Sequence, residues 1–181
     1  MKTQNNVSPR SPEISENDRT TEVGLARYAY EYLEAAILVH EREAGRNPGS
    51  QISPIPAYFL ASHAIELTLK AYLRLNRLTV DQLSDKKYGH NLRACYRKAK
   101  EFGLLELFNE HPNDVAALDM LIGLNEKHGL RYIRTGAKQF PLWSIVEPFA
   151  VRLHQAVASK VGFRSFTHTF PEYAPVQFHG L

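Results

Sequence analysis

The sequence predicts an all-α protein: an up-and-down bundle of four to five main helices with an aromatic-rich, extended C-terminal tail. Three observations lead there. Apolar residues recur at steps of three and four over long stretches, the period of a helix that packs one face. The residues between these stretches are helix punctuation, with Asn91 ahead of one and Gly45, Gly103 and Gly162 behind others. Finally, the sequence has no pair of short alternating runs joined by a turn, and no repeat period.

The first helix is expected from Asp18 or Thr20 to about Ala44, because Ala26, Tyr30, Leu33, Ile37 and His40 fall on one face while Arg27, Glu31 and Glu34 occupy others. Gly45 and Asn47-Pro48-Gly49-Ser50 are expected to end it. The second, Pro56 to Leu78, opens on a proline, which suits a first helical turn. His63, Glu66, Lys70, Arg74 and Arg77 share one narrow stripe of it, and nearly every other position is apolar. Such a helix is packed on several sides and is expected to be the most buried long element. A polar connection, Asp81 to Gly89, leads to a third helix, Leu92 to Phe102, capped by Asn91 and stopped by Gly103. A short helix is expected over Leu104–Asn109. The next begins at Asn113 or Asp114, carries Val115, Leu118, Leu121 and Ile122, and closes at Gly129. Residues 130–139 read as an ordered connection. The last helix runs from Pro141 or Ser144 to Val161 on a core line of Val146, Phe149, Leu153 and Val157, and Gly162 ends it.

These elements sort the chain into a flexible lead-in (1–16), a helical bundle (17–162) and a tail (163–181). The tail carries Phe163, Phe166, Phe170, Phe178 and Tyr173, and is expected to lie extended across the bundle. With 181 residues, 44% of them hydrophobic and 23% charged, the chain can build a core, which excludes a disordered chain, a collagen-like fibre and a disulfide scaffold. A single cysteine, Cys95, permits no intrachain disulfide and fits a reducing compartment. No apolar run approaches the roughly 18–20 residues that span a bilayer, and Met1 to Ser15 lacks the apolar run of a signal peptide, so a cytoplasmic protein is expected.

The net charge of +3 conceals an uneven distribution. Lys70 to Lys100 holds nine Lys or Arg against two acids, while Glu101 to Glu126 holds six acids and no Lys or Arg. The basic block can hold an anionic partner through phosphate contacts. Alternatively, the two blocks face each other, within one chain or across a dimer.

Three groups of residues carry candidate chemistry. His63, Glu66 and Lys70 on the second helix form either its wet edge, with Glu66 and Lys70 paired at i, i+4, or the lining of a cleft for acid–base work. In the stretch KKYGHNLRACYRKA, Lys86, Lys87, His90, Arg93, Arg97 and Lys100 form either a solvated basic face or a phosphate-tracking one, with Tyr88 and Tyr96 placed for stacking. Arg131 and Arg134, at i, i+3, flank the aromatic Tyr132 and either grip a phosphate or tie their loop to the acidic segment. Cys95, mid-helix, reads as a packing residue. The histidines show no i, i+4 pair and the sequence has no phosphate loop, HExxH or Cys/His zinc pattern, so no metal and no cofactor is expected.

The order of a long first helix, then ASHAIELTLKAYL, YGHNLRACYRKAKEFGL and LNEKHGLRYIRTG resembles the HEPN-like superfamily (higher eukaryotes and prokaryotes nucleotide-binding) over roughly residues 20–160. The closest correspondences are Ala64-Ile65-Glu66-Leu67 with Lys70-Ala71, and Gly89-His90-Asn91-Leu92. The resemblance implies a helical bundle, often a homodimer, of prokaryotic defence, stress or toxin–antitoxin systems, frequently beside a small nucleotidyltransferase. Many active relatives are metal-independent ribonucleases with an Arg followed, after four to six residues, by a His. Here no His has an Arg at that spacing; Arg164 and His168 come nearest, with three residues between. The catalytic pair is therefore not carried over. The expected function is a HEPN-like binding module for nucleotide, RNA or a partner protein. A divergent ribonuclease using His90 or His63 with Arg131 or Arg134 is the alternative, and a purely structural interaction domain the third.

Overall fold

Thr21 starts the first helix. Its side chain accepts a hydrogen bond from the Gly24 backbone N–H, and α1 follows over Glu22–Arg46. The computed structural model describes residues 19–125, 130 and 139–173. The lead-in 1–16, Gly129, Arg131, Arg134 and Phe178 lie outside these. Gly45 does not end α1; the helix runs through it, and Asn47 returns its N–H to the Glu43 carbonyl.

Five more helices follow: α2 (Ile55–Leu75), α3 (Val80–Ser84), α4 (Leu92–Glu101), α5 (Pro112–Asn125) and α6 (Trp143–Val161). No strand occurs among the described residues, and the fold is an all-α bundle. Helix α2 stops three residues short of the expected Leu78, where Asn76 caps it and Arg77 turns into the left-handed region at φ 72°. The expected polar connection contains α3, closed by a capping box in which Thr79 and Gln82 satisfy each other's backbone N–H. Asn91 caps α4 through the Ala94 N–H, as its sequence position predicts. Gly103, left-handed at φ 85°, leads into a 3₁₀ turn over Leu104–Glu106 in place of the longer helix expected there. Helix α5 starts at Pro112. The His111 N–H donates to Asp114 Oδ2 at 2.7 Å, and His111 Nδ1 accepts from the Asn113 N–H at 3.1 Å.

Helix α2 packs against α1, α4 and α6, while α6 also packs against α1 and α5. The core is continuous through Leu33, Ile65, Leu69, Leu73, Val146, Phe149 and Leu153. Helix α2 buries 12 of its 21 residues, more than any other helix, and α6 comes close with 11 of 19. Helix α6 packs against three helices and the tail, so its buried face is about as broad. Residues 163–170 carry no regular structure and pack on the core through Phe163, Phe166 and Phe170 before a 3₁₀ turn at Pro171–Tyr173. Phe166 stacks on Tyr30 of α1, with ring centroids 4.3 Å apart. Arg152 of α6 faces the rings of Phe108 and Tyr173 at 5.1 and 4.8 Å.

Candidate functional site

The polar stripe of α2 is not a wet edge throughout. The Glu66 side chain is only 4% exposed, because the turn between α3 and α4 folds back over it. That turn depends on Gly89. A Cβ there would lie 2.8 Å from the Ser84 carbonyl oxygen and 3.0 Å from that of Asp85, both backbone atoms that cannot swing aside. His90 follows in the left-handed region at φ 58°, an unfavourable conformation for a residue with a Cβ. The turn thus delivers the His90 ring to α2. Its Nδ1 lies 3.3 Å from Glu66 Oε1 and 3.4 Å from Oε2. An ionised carboxylate only accepts, so the Nδ1–H donates.

On the other side, Lys70 Nζ donates to Glu66 Oε1 at 2.8 Å. Burial is the largest single effect and pushes the Glu66 carboxyl up, but Lys70, His90 and His63 together hold it below the usual carboxylate range. Glu66 is therefore a fixed anion and a weak base. It orients two cationic or protonatable partners, of which His90 remains 54% exposed. His63 lies half-buried between aromatic rings, 4.6 Å from the Tyr32 centroid and stacked at 6.4 Å on Phe59. The structure thus brings His63, Glu66, Lys70 and His90 to one place.

Cys95 is fully buried. Burial pushes its thiol up to about 12, and its Sγ–H donates to the Tyr88 carbonyl at 3.4 Å. It is a packing residue, since the thiolate a nucleophile needs is suppressed.

The basic line on α4 has a different setting. Arg93, Arg97 and Lys100 follow one another at steps of four and three, over about 10 Å of helix axis, with His90 in the turn before the helix. The acidic segment faces part of this line within the same chain. Arg93 Nη1 lies 3.0 Å from Asp119 Oδ1, and Lys100 Nζ lies 3.0 Å from Glu110 Oε1. Glu110 also accepts from the Tyr96 hydroxyl. Lys98 pairs with Glu101 at 2.8 Å. Lys86, Lys87 and Arg97 are exposed and form no ion pair among the described residues; Lys87 lies over the Tyr88 ring at 5.1 Å. The charge blocks that suggested a dimer thus meet, in part, inside one chain.

Between α4 and α5 these ion pairs frame a cleft of about 280 Å³. Val115, Leu118 and Ile122 form its apolar floor, with Arg93, Arg97 and Lys100 along one wall and Glu110 and Asp119 along the other. The sequence offered Glu110 and Asp119 only as members of an acidic block. Their roles follow from α5 lying beside α4, which no local pattern encodes. Also missed was the pair Asp114–Arg152, in which Arg152 Nη1 lies 3.0 Å from both carboxylate oxygens of the fully buried acid.

Among the described residues no three His, Cys, Asp or Glu side chains are placed to hold a metal ion, and no helix is long and apolar enough to cross a membrane. Comparison with protein families, curated proteins and solved structures finds no match to this chain.

Proposed function

We propose that this chain is a HEPN-like, non-catalytic binding module that recognises RNA or a nucleotide through phosphate contacts along α4 and the turn before it. The observation that carries the reading is the selective neutralisation of the basic block. Arg93, Lys98 and Lys100 form ion pairs with carboxylates, whereas Lys86, Lys87 and Arg97 are exposed and form no ion pair among the described residues, and the half-exposed His90, whose ring the buried Glu66 holds in place, lies between them in the sequence. Surface cations not held in an ion pair are the ones that displace condensed counterions from nucleic-acid phosphates. The family resemblance adds a homodimer, a prokaryotic defence or toxin–antitoxin setting and a nucleotidyltransferase-type partner to the proposal.

The test is binding of single-stranded RNA at about 50 mM salt, with a slope of log affinity on log salt of about −0.7 per phosphate contact. Lys87→Ala with Arg97→Ala flattens that slope by one to two units. Absence of any RNA or nucleotide binding at that salt overturns the reading and leaves the structural-domain alternative.

One observation favours a second reading. A carboxylate bound to the Nδ1–H of His90, beside the Lys70 ammonium, is an arrangement that orients an imidazole for proton transfer. If wild-type protein cleaves RNA without metal and His90→Ala does not, the chain is a divergent ribonuclease.

A further inference from the structure

We infer that the α4–α5 cleft is a base pocket, which seats one unpaired nucleobase bearing N–H donors, guanine above all, with the attached phosphate on Arg97. The inference rests on the reading of α4 as a phosphate contact and assigns the ligand class and the selectivity of its neighbouring cleft.

Three features of the cleft point to this occupant. Its floor is aliphatic: Leu118 and Ile122 are buried, but Val115 stays 40% exposed in the opening, apolar surface that a flat ring would cover. A volume of about 280 Å³ falls just below the roughly 300–1,000 Å³ of small-molecule pockets, which suits a single nucleobase better than a larger group. Its walls carry opposite signs. A phosphodiester run along the cleft would meet Glu110 and Asp119, so the cleft itself does not suit a backbone. A base at this depth with its phosphate outside, on the α4 wall, satisfies both walls.

The acidic wall sets the selectivity. Burial is the strongest single effect on Glu110 and pushes its carboxyl up, but Tyr96 and Lys100 together hold it below the usual carboxylate range. It stays ionised, with Oε1 accepting from Tyr96 and Lys100 and Oε2 from Lys100, so the less engaged acceptor of this wall is Asp119. The Asp119 side chain, 54% exposed, uses Oδ1 on Arg93. Ionised carboxylates accept and never donate. They match the adjacent N–H groups on the Watson–Crick edge of guanine and the amino group of adenine or cytosine. Uracil offers one N–H between two carbonyl oxygens, which the same carboxylates repel.

Two Arg97-dependent equilibria then separate. Polyanion affinity depends on Lys87 and Arg97, while base selectivity depends on Asp119 and the floor. GMP and UMP titrations followed by calorimetry or by amide shifts of α4 and α5 read the second. Wild-type protein should bind GMP about tenfold tighter than UMP. Asp119→Asn, at an exposed position, replaces one acceptor by an amide that also donates and should bring the ratio to about one. Because this variant also releases Arg93, the ratio is the readout and not the affinity for either nucleotide. Val115→Glu puts a carboxylate into the opening, and should abolish GMP binding while salt-dependent affinity for single-stranded RNA persists; circular dichroism confirms that both variants fold. Equal affinity of wild type for GMP and UMP, or unchanged GMP binding by Val115→Glu, overturns the base pocket while leaving phosphate recognition by α4 intact. Loss of all RNA and nucleotide binding in wild type overturns both.

Discussion

Arg152 Nη1 sits 3.0 Å from each oxygen of Asp114, a carboxylate with no exposed surface, and its other terminal nitrogen donates to the Asn109 carbonyl. One guanidinium therefore ties α6 to the start of α5, to the segment before it through the Phe108 ring, and to the tail through the Tyr173 ring. Burial holds the Asp114 carboxyl above its usual range, over the opposing effects of the His111 N–H and Arg152. Removal of Arg152 leaves a buried carboxylate without its counterion, which costs about 3–5 kcal/mol. An acid with a raised folded pKa binds its proton more readily in the native state, so its contribution favours folding at low pH and is lost as pH rises through the folded pKa. The deficit of Arg152→Ala is therefore largest at pH 7 and smaller at pH 4, measured by urea unfolding. An equal deficit at the two pH values contradicts the assignment.

His154 gives the opposite dependence. It is fully buried in α6, with Nε2 2.9 Å from the Ala26 carbonyl and Nδ1 2.6 Å from Ser165 Oγ. A carbonyl only accepts, so Nε2 carries the proton and Nδ1 accepts from the serine in the neutral ring. Burial lowers its pKa below 6.5, against the Ala26 hydrogen bond. The unfolded chain thus takes up the proton first as pH falls. The stability from this residue is complete above about 6.5, declines below it and levels off once the folded pKa is passed. His154→Gln keeps one donor and one acceptor but does not titrate, so its unfolding free energy should vary less between pH 7 and pH 5 than that of wild type.

Ile65, 1% exposed where α2 meets its neighbours, tests the core. Ile65→Ala should cost about 2–5 kcal/mol in chemical denaturation, as large-to-small core changes do. A loss under about 0.5 kcal/mol would place it outside the core.

Gly89→Ala tests the turn that delivers His90. The added methyl meets two backbone oxygens at 3.0 Å or less, so the turn must shift. We expect a loss of about 1–3 kcal/mol, as for overpacking. RNA affinity should weaken although no charged residue has changed. Retained affinity with lowered stability separates the turn from binding.

The helices were legible where one residue type has one local consequence. Asn91 before an apolar-periodic run is a cap in sequence and in structure. Thr79 and Gln82 carried an equally local signal, the capping box, but five residues are too few for periodicity to flag a helix. The stripe on α2 placed Glu66 beside Lys70 correctly, because i, i+4 neighbours are fixed by the helix itself. The burial of Glu66 was not legible, since it depends on a turn 24 residues away closing over it. The charge blocks were visible as composition. Their pairing, Arg93 with Asp119 and Lys100 with Glu110, depends on which helix lies beside α4.

Two residues with a Cβ, Arg77 and His90, occupy the left-handed region, at φ 72° and 58°. Arg77 is exposed, and its side chain makes no hydrogen bond or ion pair among the described residues, whereas His90 reaches Glu66. The chain therefore contains its own reference for backbone conformation. Glycine at 77 reports the relief of the left-handed backbone alone, about 1–2 kcal/mol before the added freedom of the unfolded chain is subtracted. Glycine at 90 reports the same relief less the value of the imidazole–carboxylate contact. Subtracting one measurement from the other separates the His90 side-chain interactions, the Glu66 contact among them, from the backbone, and a library selected for folding and one selected for ligand should diverge at position 90 while agreeing at 77.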